Sequence, residues 1–203
     1  MDIVCVNKGM LGSNVYVLSD RGECVVIDAG AMVDDILPHI QRSGCKLKYI
    51  VLTHGHGDHI ASVNELREAT GALVVAHKEE EKLLLEPEYN CSYEICNRLI
   101  TIKPDILVEE GDEISFGDTV LSFLYTPGHT RGSMCIQCES NLFTGDTLFC
   151  GSVGRTDLPT GDIESLEDSI NKFRMISDRC VVYPGHGELT TMGDEKINNV
   201  WFR

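Results

Sequence analysis

Four side chains that can bind a divalent metal lie within six residues of the segment LTHGHGDHIA, 52–61. They are His54, His56, Asp58 and His59. Imidazole nitrogens and carboxylate oxygens both bind borderline or hard divalent ions, and four such groups are more than one tetrahedral site takes from a single short segment. The segment therefore predicts a two-metal site.

Three later segments each place one more metal-binding side chain in a similar setting. His129 lies in LYTPGHT, Asp146 in LFTGDTLF and His186 in VVYPGHG. Each follows a hydrophobic stretch that is typical of a strand and sits beside Gly or Pro, where the backbone can turn sharply toward a ligand. One such histidine alone is more often an ordinary loop residue, but the whole set favours metal binding.

The first half of the chain alternates between patterns of strands and helices. The predicted strands are 14–19, 23–30, 46–54 and 72–77, and the predicted helices are 32–44 and 58–71. The first metal-binding segment then lies in a strand-to-helix loop, at the carboxyl end of a strand, where open α/β sheets bind ligands. The acidic run KEEEKLLLEPEYN, 78–90, predicts a helical stretch whose charges face solvent.

The second half changes character before it repeats this order. Residues 100–130, followed by GSMCIQCES and NLFTGD, predict an antiparallel meander of short strands. A helix in DIESLEDSINKFRMIS, a strand in RCVVYPGHG and a helix near DEKINNVWF follow. A core of two sheets with helices on both outer faces, in the α/β class, accommodates this order.

Composition excludes several classes of protein. The chain has 203 residues, 42% of them hydrophobic, and contains no apolar run long enough to span a membrane. We expect one domain, 1–203, in the cytoplasm, because the N-terminus lacks the basic-then-apolar order of a secretory signal. The net charge of −15 makes nucleic acid an unfavourable partner. A small molecule is the expected partner, and the oligomeric state is left open.

The nine cysteines are an odd number scattered through apolar segments. Without an export signal, we expect reduced and mostly buried thiols rather than disulfides. Cys135 and Cys138 lie three apart on a predicted strand, so their side chains should point to opposite faces of the sheet. The pair is therefore expected to serve packing rather than metal binding.

The metal-binding set resembles that of a known family. His54, His56, Asp58 and His59 fill the pattern H-x-H-x-D-H of metallo-β-lactamase-fold hydrolases, and the later His, Asp and His are filled as well. The chain is most similar to the glyoxalase II-like (hydroxyacylglutathione hydrolase-like) branch, and the similarity covers nearly its whole length. The implied fold is an αββα four-layer sandwich with the metals at one edge of the two sheets.

The resemblance also implies a role for each ligand. One metal is held by His54, His56 and His129, the other by Asp58, His59 and His186, with Asp146 as the bridge. A water shared by the metals, its pKa lowered from about 15.7 toward 7, would attack a thioester or other small acyl substrate. Asp58 and Asp146 are thus the expected catalytic residues, and two divalent ions are the expected cofactors, with zinc favoured and iron as the alternative.

Two departures from glyoxalase II keep other functions open. Glyoxalase II continues into a C-terminal helical region that helps to bind glutathione, whereas this chain ends at Arg203 and resembles a short form. The loop 151–162, GSVGRTDLPTGD, also resembles one found in persulfide dioxygenases, in which the counterparts of His54, His129 and Asp146 would bind a single iron. A mononuclear iron persulfide dioxygenase and a metal-binding domain without turnover are therefore the alternatives.

Three more residues are candidates for binding substrate or supporting a ligand. Arg155 could meet an anionic substrate, or could pair with Asp157 and only order its loop. Asp28 could accept a hydrogen bond from a ligand histidine, or could serve a turn or a helix cap. Tyr125 could face the site, although burial in the core is the alternative.

Overall fold

The structure, a computed structural model, describes all 203 residues and contains two six-stranded sheets. The first sheet has its strands in chain order: β1 (Asp2–Val6), β2 (Val15–Asp20), β3 (Glu23–Ile27), β4 (Lys46–Val51), β5 (Leu73–His77) and β6 (Ile106–Val108). The β1–β2 and β2–β3 pairs are antiparallel, and β3 to β6 run parallel. The parallel half places the carboxyl ends of several strands at one edge.

The second sheet is mostly antiparallel. Its strands, with the small hairpin that follows β10, are β7 (Glu113–Phe116), β8 (Thr119–Tyr125), β9 (Met134–Cys138), β10 (Asn141–Gly145), β11 (Leu148–Phe149), β12 (Ser152–Val153), β13 (Val181–Pro184) and β14 (Thr190–Thr191). The spatial order is β14-β13-β10-β9-β8-β7, and β11 pairs only with β12. Strands β8, β10 and β13 point the same way, so the loops after them meet at one edge.

Helices cover the outer face of each sheet. They are α1 (Val33–Ser43), α2 (Gly57–Ile60), α3 (Val63–Thr70), α4 (Glu81–Leu85), α5 (Ser92–Cys96), α6 (Ile163–Lys172) and α7 (Met192–Asn198). Helices α1 and α3 pack on the first sheet, and α6 and α7 pack on the second. A third apolar cluster, built from strands of both sheets, fills the space between them. The predicted αββα sandwich is confirmed.

Side-chain alternation along the strands divides the core into these layers. In β2, Val15 and Val17 face the helices, whereas Tyr16 and Leu18 face the opposite sheet. The same alternation separates Cys135 and Cys138 on β9, which are buried in two different clusters and are both free thiols. The prediction that this pair serves packing is confirmed. None of the helices has the length and apolar character needed to cross a membrane.

Two predictions about local structure were wrong, and one strand was missed. The single helix predicted at 58–71 is split into α2 and α3. The backbone N–H of Ala29 donates to the carbonyl of His59 at 2.7 Å, and the N–H of Ser62 donates to the carbonyl of Ala29 at 2.8 Å, so these groups do not form helical hydrogen bonds. Residues in 100–108 do not join the meander: β6 pairs in parallel with β5, aided by two hydrogen bonds between Asp105 and Val74. Strand β1 was not predicted at all.

Candidate metal centre

The seven predicted ligands meet at the edge where the carboxyl ends of the strands converge. Two follow β4, two lie on α2, and one each follows β8, β10 and β13: His54, His56, Asp58, His59, His129, Asp146 and His186. All except Asp146 and His186 are buried, and those two are partly exposed toward a cleft. The fold therefore brings together residues separated by up to 132 positions, from His54 to His186.

The first group is a triad of histidines. His54, His56 and His129 have ligand nitrogens that all lie within 4.8 Å of one another, and Nδ1 of His56 is 2.9 Å from Nε2 of His129. Nitrogens bound to one tetrahedral zinc at 2.0–2.1 Å would be about 3.3 Å apart. The spacing suits a shared ion.

The second group is Asp58, His59 and His186. Nε2 of His186 lies 3.1 Å from Oδ2 of Asp58 and 3.2 Å from Nε2 of His59. The distance from His59 Nε2 to Asp58 Oδ2 is 3.7 Å. These three atoms form a second triangle of the size that one small divalent ion requires.

Asp146 lies between the two groups. Its Oδ1 is 3.3 Å from Nε2 of His59, and its Oδ2 is 3.6 Å from Nε2 of His129 and 3.6 Å from Nε2 of His186. Gly185 leaves room for the Asp146 carboxylate, because a Cβ at residue 185 would collide with Oδ1 of Asp146. The carboxylate thus faces a member of each triad.

Three buried polar atoms in the centre have no hydrogen-bond partner: Nε2 of His54, Nε2 of His56 and Oδ1 of Asp146. Buried polar atoms are nearly always partnered in folded proteins, so each unpartnered one needs an explanation. Divalent cations between the triads would satisfy Nε2 of His54 and Oδ1 of Asp146. The residues present fit a pair of metal ions.

Hydrogen bonds from Nδ1 direct Nε2 of three histidines toward the centre. Nδ1 of His54 lies 3.1 Å from Oγ1 of Thr53, and Nδ1 of His129 lies 2.7 Å from the carbonyl oxygen of Arg155. Nδ1 of His59 lies 2.8 Å from Oδ2 of Asp28. An imidazole that donates from Nδ1 keeps the lone pair on Nε2, the form that binds a metal.

Asp28 links two of these contacts. Its Oδ1 accepts from the backbone N–H of Thr53 and its Oδ2 from the Thr53 hydroxyl, both at 2.8 Å. Asp28 follows β3 with φ 57°, in the left-handed region, and its side chain is buried. One carboxylate therefore holds His59 directly and His54 through Thr53.

The electrostatics of His54, His56 and Asp146 suit cation binding in the metal-free protein. Burial, reinforced by the neighbouring histidines, lowers the pKa of His54 well below its usual value and the pKa of His56 to about 3. Burial alone would raise the pKa of Asp146, but the adjacent histidines, His59 first, lower it instead. Neutral imidazoles and ionised carboxylates are the forms that ligate metals. Against the effect of burial, the nearby aspartates instead raise the pKa values of His59 and His186, so these two imidazoles would release a proton on binding a metal.

Glu80, which no sequence motif singles out, joins the two loops that carry the first triad. Its Oε1 accepts from the N–H of Gly55 at 2.7 Å, and its Oε2 accepts from the N–H of Gly132 at 2.8 Å. The Thr130 hydroxyl lies 2.9 and 3.0 Å from the two oxygens. The prediction that the acidic run faces solvent was wrong for Glu80, which is fully buried. Nothing in the run distinguishes this glutamate from its neighbours.

Glu80 should make stability depend on pH. Burial raises its pKa from 4.5 to about 7, although its hydrogen bonds lower it. A carboxyl that binds its proton more tightly when folded contributes stability below about pH 4.5 and loses it as the pH rises through about 7. The free energy of unfolding of the metal-free wild type, relative to Glu80→Gln, should therefore fall with rising pH, on the order of 1 kcal/mol per pH unit.

Urea titrations of both proteins between pH 5 and 8 would measure this difference. Glu88→Gln is a matched control, because Glu88 is exposed and lies in the same acidic run. A difference between wild type and Glu80→Gln that stays constant across this range would contradict the prediction.

A cleft of about 510 Å³ opens onto the two triads. Beyond the metal-binding side chains, its walls are lined by Leu11, Cys91, Glu94, Ile95, Phe149, Arg155 and Leu158. Arg155 does border the cleft, but its guanidinium forms two hydrogen bonds of 2.6 Å with the carboxylate of Asp157. The Arg155 side chain therefore pairs with Asp157 and orders its loop, which was the alternative to substrate binding. The Arg155 carbonyl accepts the hydrogen bond from Nδ1 of His129.

Tyr125 does not line the cleft, which corrects its candidacy as a substrate contact. Its ring stacks on His77 with centroids 4.2 Å apart, and its hydroxyl donates to the carbonyl of Arg131 at 2.9 Å. Tyr125 therefore packs on the end of β5 and on the loop that carries His129, outside the lining of the cleft.

Comparisons with known proteins agree with this geometry. Residues 9–186 match the family model of the Metallo-beta-lactamase superfamily. The chain is 34% identical over 185 residues to the hydroxyacylglutathione hydrolase GloC of Haemophilus influenzae, covering 89% of this chain and 87% of that protein.

Two solved structures are similar over nearly their whole length. The crystal structure of BLEG-1 B3 metallo-beta-lactamase has a TM-score of 0.92 and 35% sequence identity, with 99% of both chains covered. The crystal structure of TTHA1623 in a di-iron-bound form has a TM-score of 0.87 and 32% identity, with 98% of this chain and 99% of that one covered.

Proposed function

This chain belongs to the metallo-beta-lactamase superfamily, and on that premise we propose that it is a two-metal hydrolase of a thioester or other small acyl substrate. The observation that carries the proposal is the position of Asp146 between the two triads, with a buried carboxylate oxygen that has no hydrogen-bond partner. The likeness to a hydroxyacylglutathione hydrolase supports the thioester class.

In this proposal, His54, His56 and His129 would hold one ion, Asp58, His59 and His186 would hold the other, and Asp146 would serve both. Two divalent ions held there would lower the pKa of water and polarise the carbonyl of the substrate. Asp28, Thr53 and the carbonyl of Arg155 fix the histidine orientations that binding requires. The carboxylates of Asp58 and Asp146 line the cleft, and the adjacent histidines lower their pKa, so both stay ionised and available as metal ligands.

The metal content tests the proposal directly. Protein purified without added metal, then subjected to elemental analysis, should contain close to two divalent ions per chain, because two groups of three ligands that share no residue are present. We expect zinc with thioester hydrolysis, and the likeness to a di-iron-bound structure makes two irons a compatible result. One iron per chain, with oxygen consumed during turnover of a persulfide, would instead support a mononuclear dioxygenase.

β-Lactam hydrolysis is the second candidate, because of the likeness to BLEG-1. A lactam and a thioester both present a carbonyl to the same nucleophile, so one cleft could act on either. Steady-state assays of the same metal-loaded preparation with a chromogenic cephalosporin and with a thioester would separate them. A cephalosporin kcat/KM above that of every thioester tested would replace the first candidate by the second.

A further inference from the structure

The walls of the cleft differ in character from its metal-binding floor. Four apolar side chains, Leu11, Ile95, Phe149 and Leu158, line it beyond the ligands. Leu11 is 73% exposed, on a turn with φ 54° that holds it at the rim. A large apolar side chain kept in water at the mouth of a site is a surface that an apolar partner can cover.

The one cation in the walls is already paired with a carboxylate. Arg155 is the only lysine or arginine that lines the cleft, and Nε and Nη2 of its guanidinium are hydrogen-bonded to the carboxylate of Asp157, which offsets its charge. Glu94, on α5, adds a negative charge to the same wall and is exposed. Positive charge from bound metals would lie at the floor, beside the carboxylates of Asp58 and Asp146. A carboxylate placed against the walls would lose water without gaining an unpaired cation.

From these observations we infer that the leaving group of the substrate is uncharged and largely apolar, and is not an anionic peptide such as glutathione. The inference rests on the proposed function and specifies its substrate class. The scissile carbonyl would face the floor, and an uncharged thiol or alcohol portion would lie against Leu11, Ile95, Phe149 and Leu158. Hydrophobic contact rather than ion pairing would then supply the affinity.

Two thioesters that share one 2-hydroxyacyl group test this inference. One is the thioester of glutathione, which carries two carboxylates, and the other is the thioester of N-acetylcysteamine, which is uncharged. Both leaving groups are alkyl thiols, so the reactivity of the two thioesters is similar. With the metal-loaded enzyme at low ionic strength, we expect kcat/KM for the uncharged thioester to be at least tenfold higher, mainly through a lower KM.

Charge changes at the rim sharpen the test. Leu11→Lys places an unpaired cation at the mouth of the cleft and should lower KM for the glutathione thioester alone. The ratio of kcat/KM for the uncharged thioester to kcat/KM for the glutathione thioester should therefore fall at least threefold. Glu94→Gln, which removes a negative charge from the wall, should also lower this ratio. Glu94 is exposed, so the substitution should not affect folding. Met175→Lys is the matched control, because Met175 is 91% exposed and does not line the cleft.

A binding measurement gives a readout that does not depend on turnover. Calorimetry should show tighter binding of S-benzyl-N-acetylcysteamine than of S-benzylglutathione, and Leu11→Lys should reduce that difference. Equal or better use of the glutathione thioester by the wild type would overturn the inference and leave the proposed hydrolase standing. Hydrolysis of neither thioester, by enzyme that holds two metals, would contradict the proposed function and the inference together.

Discussion

Replacing Asp146 by Ala should reduce kcat/KM at least 10³-fold, about 4 kcal/mol of transition-state stabilisation, while the protein stays folded. Asp146 is the only one of the seven ligands whose oxygens face histidines of both triads, at 3.3 to 3.6 Å. Its loss removes the group that would hold the two ions at one distance, so neither triad alone restores the arrangement. Steady-state kinetics and elemental analysis of the purified variant would measure turnover and metal content.

Asp168→Ala is a matched control, because Asp168 is an exposed carboxylate on α6, outside the cleft. It should keep wild-type kinetics and metal content. Far-UV circular dichroism should give the same spectrum for both variants, because Asp146 follows the end of β10 and anchors no strand. An Asp146→Ala protein that retains two metals and full activity would refute the bridging role and the mechanism built on it.

The first four candidate ligands were predictable because their spacing is local and their chemistry is distinctive. His54, His56, Asp58 and His59 stand within six residues, so the pattern is visible without any knowledge of tertiary contacts. The fold class followed from the order of strands and helices together with the family resemblance. Alternation along β9 likewise predicted opposite faces for Cys135 and Cys138, since the two-residue period of a strand is a local property.

The supporting contacts were harder to predict because they join distant segments. Asp28 and His59 are 31 residues apart, and Glu80 and Thr130 are 50 apart. Charge is also a misleading guide at Glu80, whose neighbours in the acidic run do face solvent. Burial of one glutamate in such a run depends on where the backbone N–H groups of Gly55 and Gly132 are left unpaired, which only the tertiary structure decides.

Local patterns also failed where backbone groups are shared between elements. The apolar spacing of 58–71 suits one helix, yet Ala29 pairs with His59 and Ser62 and divides it. That division has a consequence for the site. It lets α2 carry Asp58 and His59 toward the cleft while α3 packs on the sheet, two orientations that one straight helix would not provide.

Asp28→Ala should weaken metal binding 10- to 100-fold and destabilise the metal-free protein by about 3 to 5 kcal/mol. The affinity loss follows because His59 loses the acceptor that fixes its orientation, and groups that orient ligand histidines typically contribute this much. The stability loss follows because the Thr53 N–H and the imidazole of His59 would both stay buried without their charged partner. Competition with a metal chelator and urea unfolding would measure the two effects.

Asp28→Asn separates hydrogen bonding from backbone strain, because asparagine tolerates the left-handed φ of 57° that alanine does not. Its amide oxygen can still accept from Thr53 N–H, but its NH₂ would face Nδ1 of His59 and the Thr53 hydroxyl, so the metal-affinity loss should persist while much of the stability returns. Asp34→Asn, an exposed change on α1, should alter neither quantity. If Asp28→Asn bound metal as tightly as the wild type, backbone conformation rather than the carboxylate would be what positions His59.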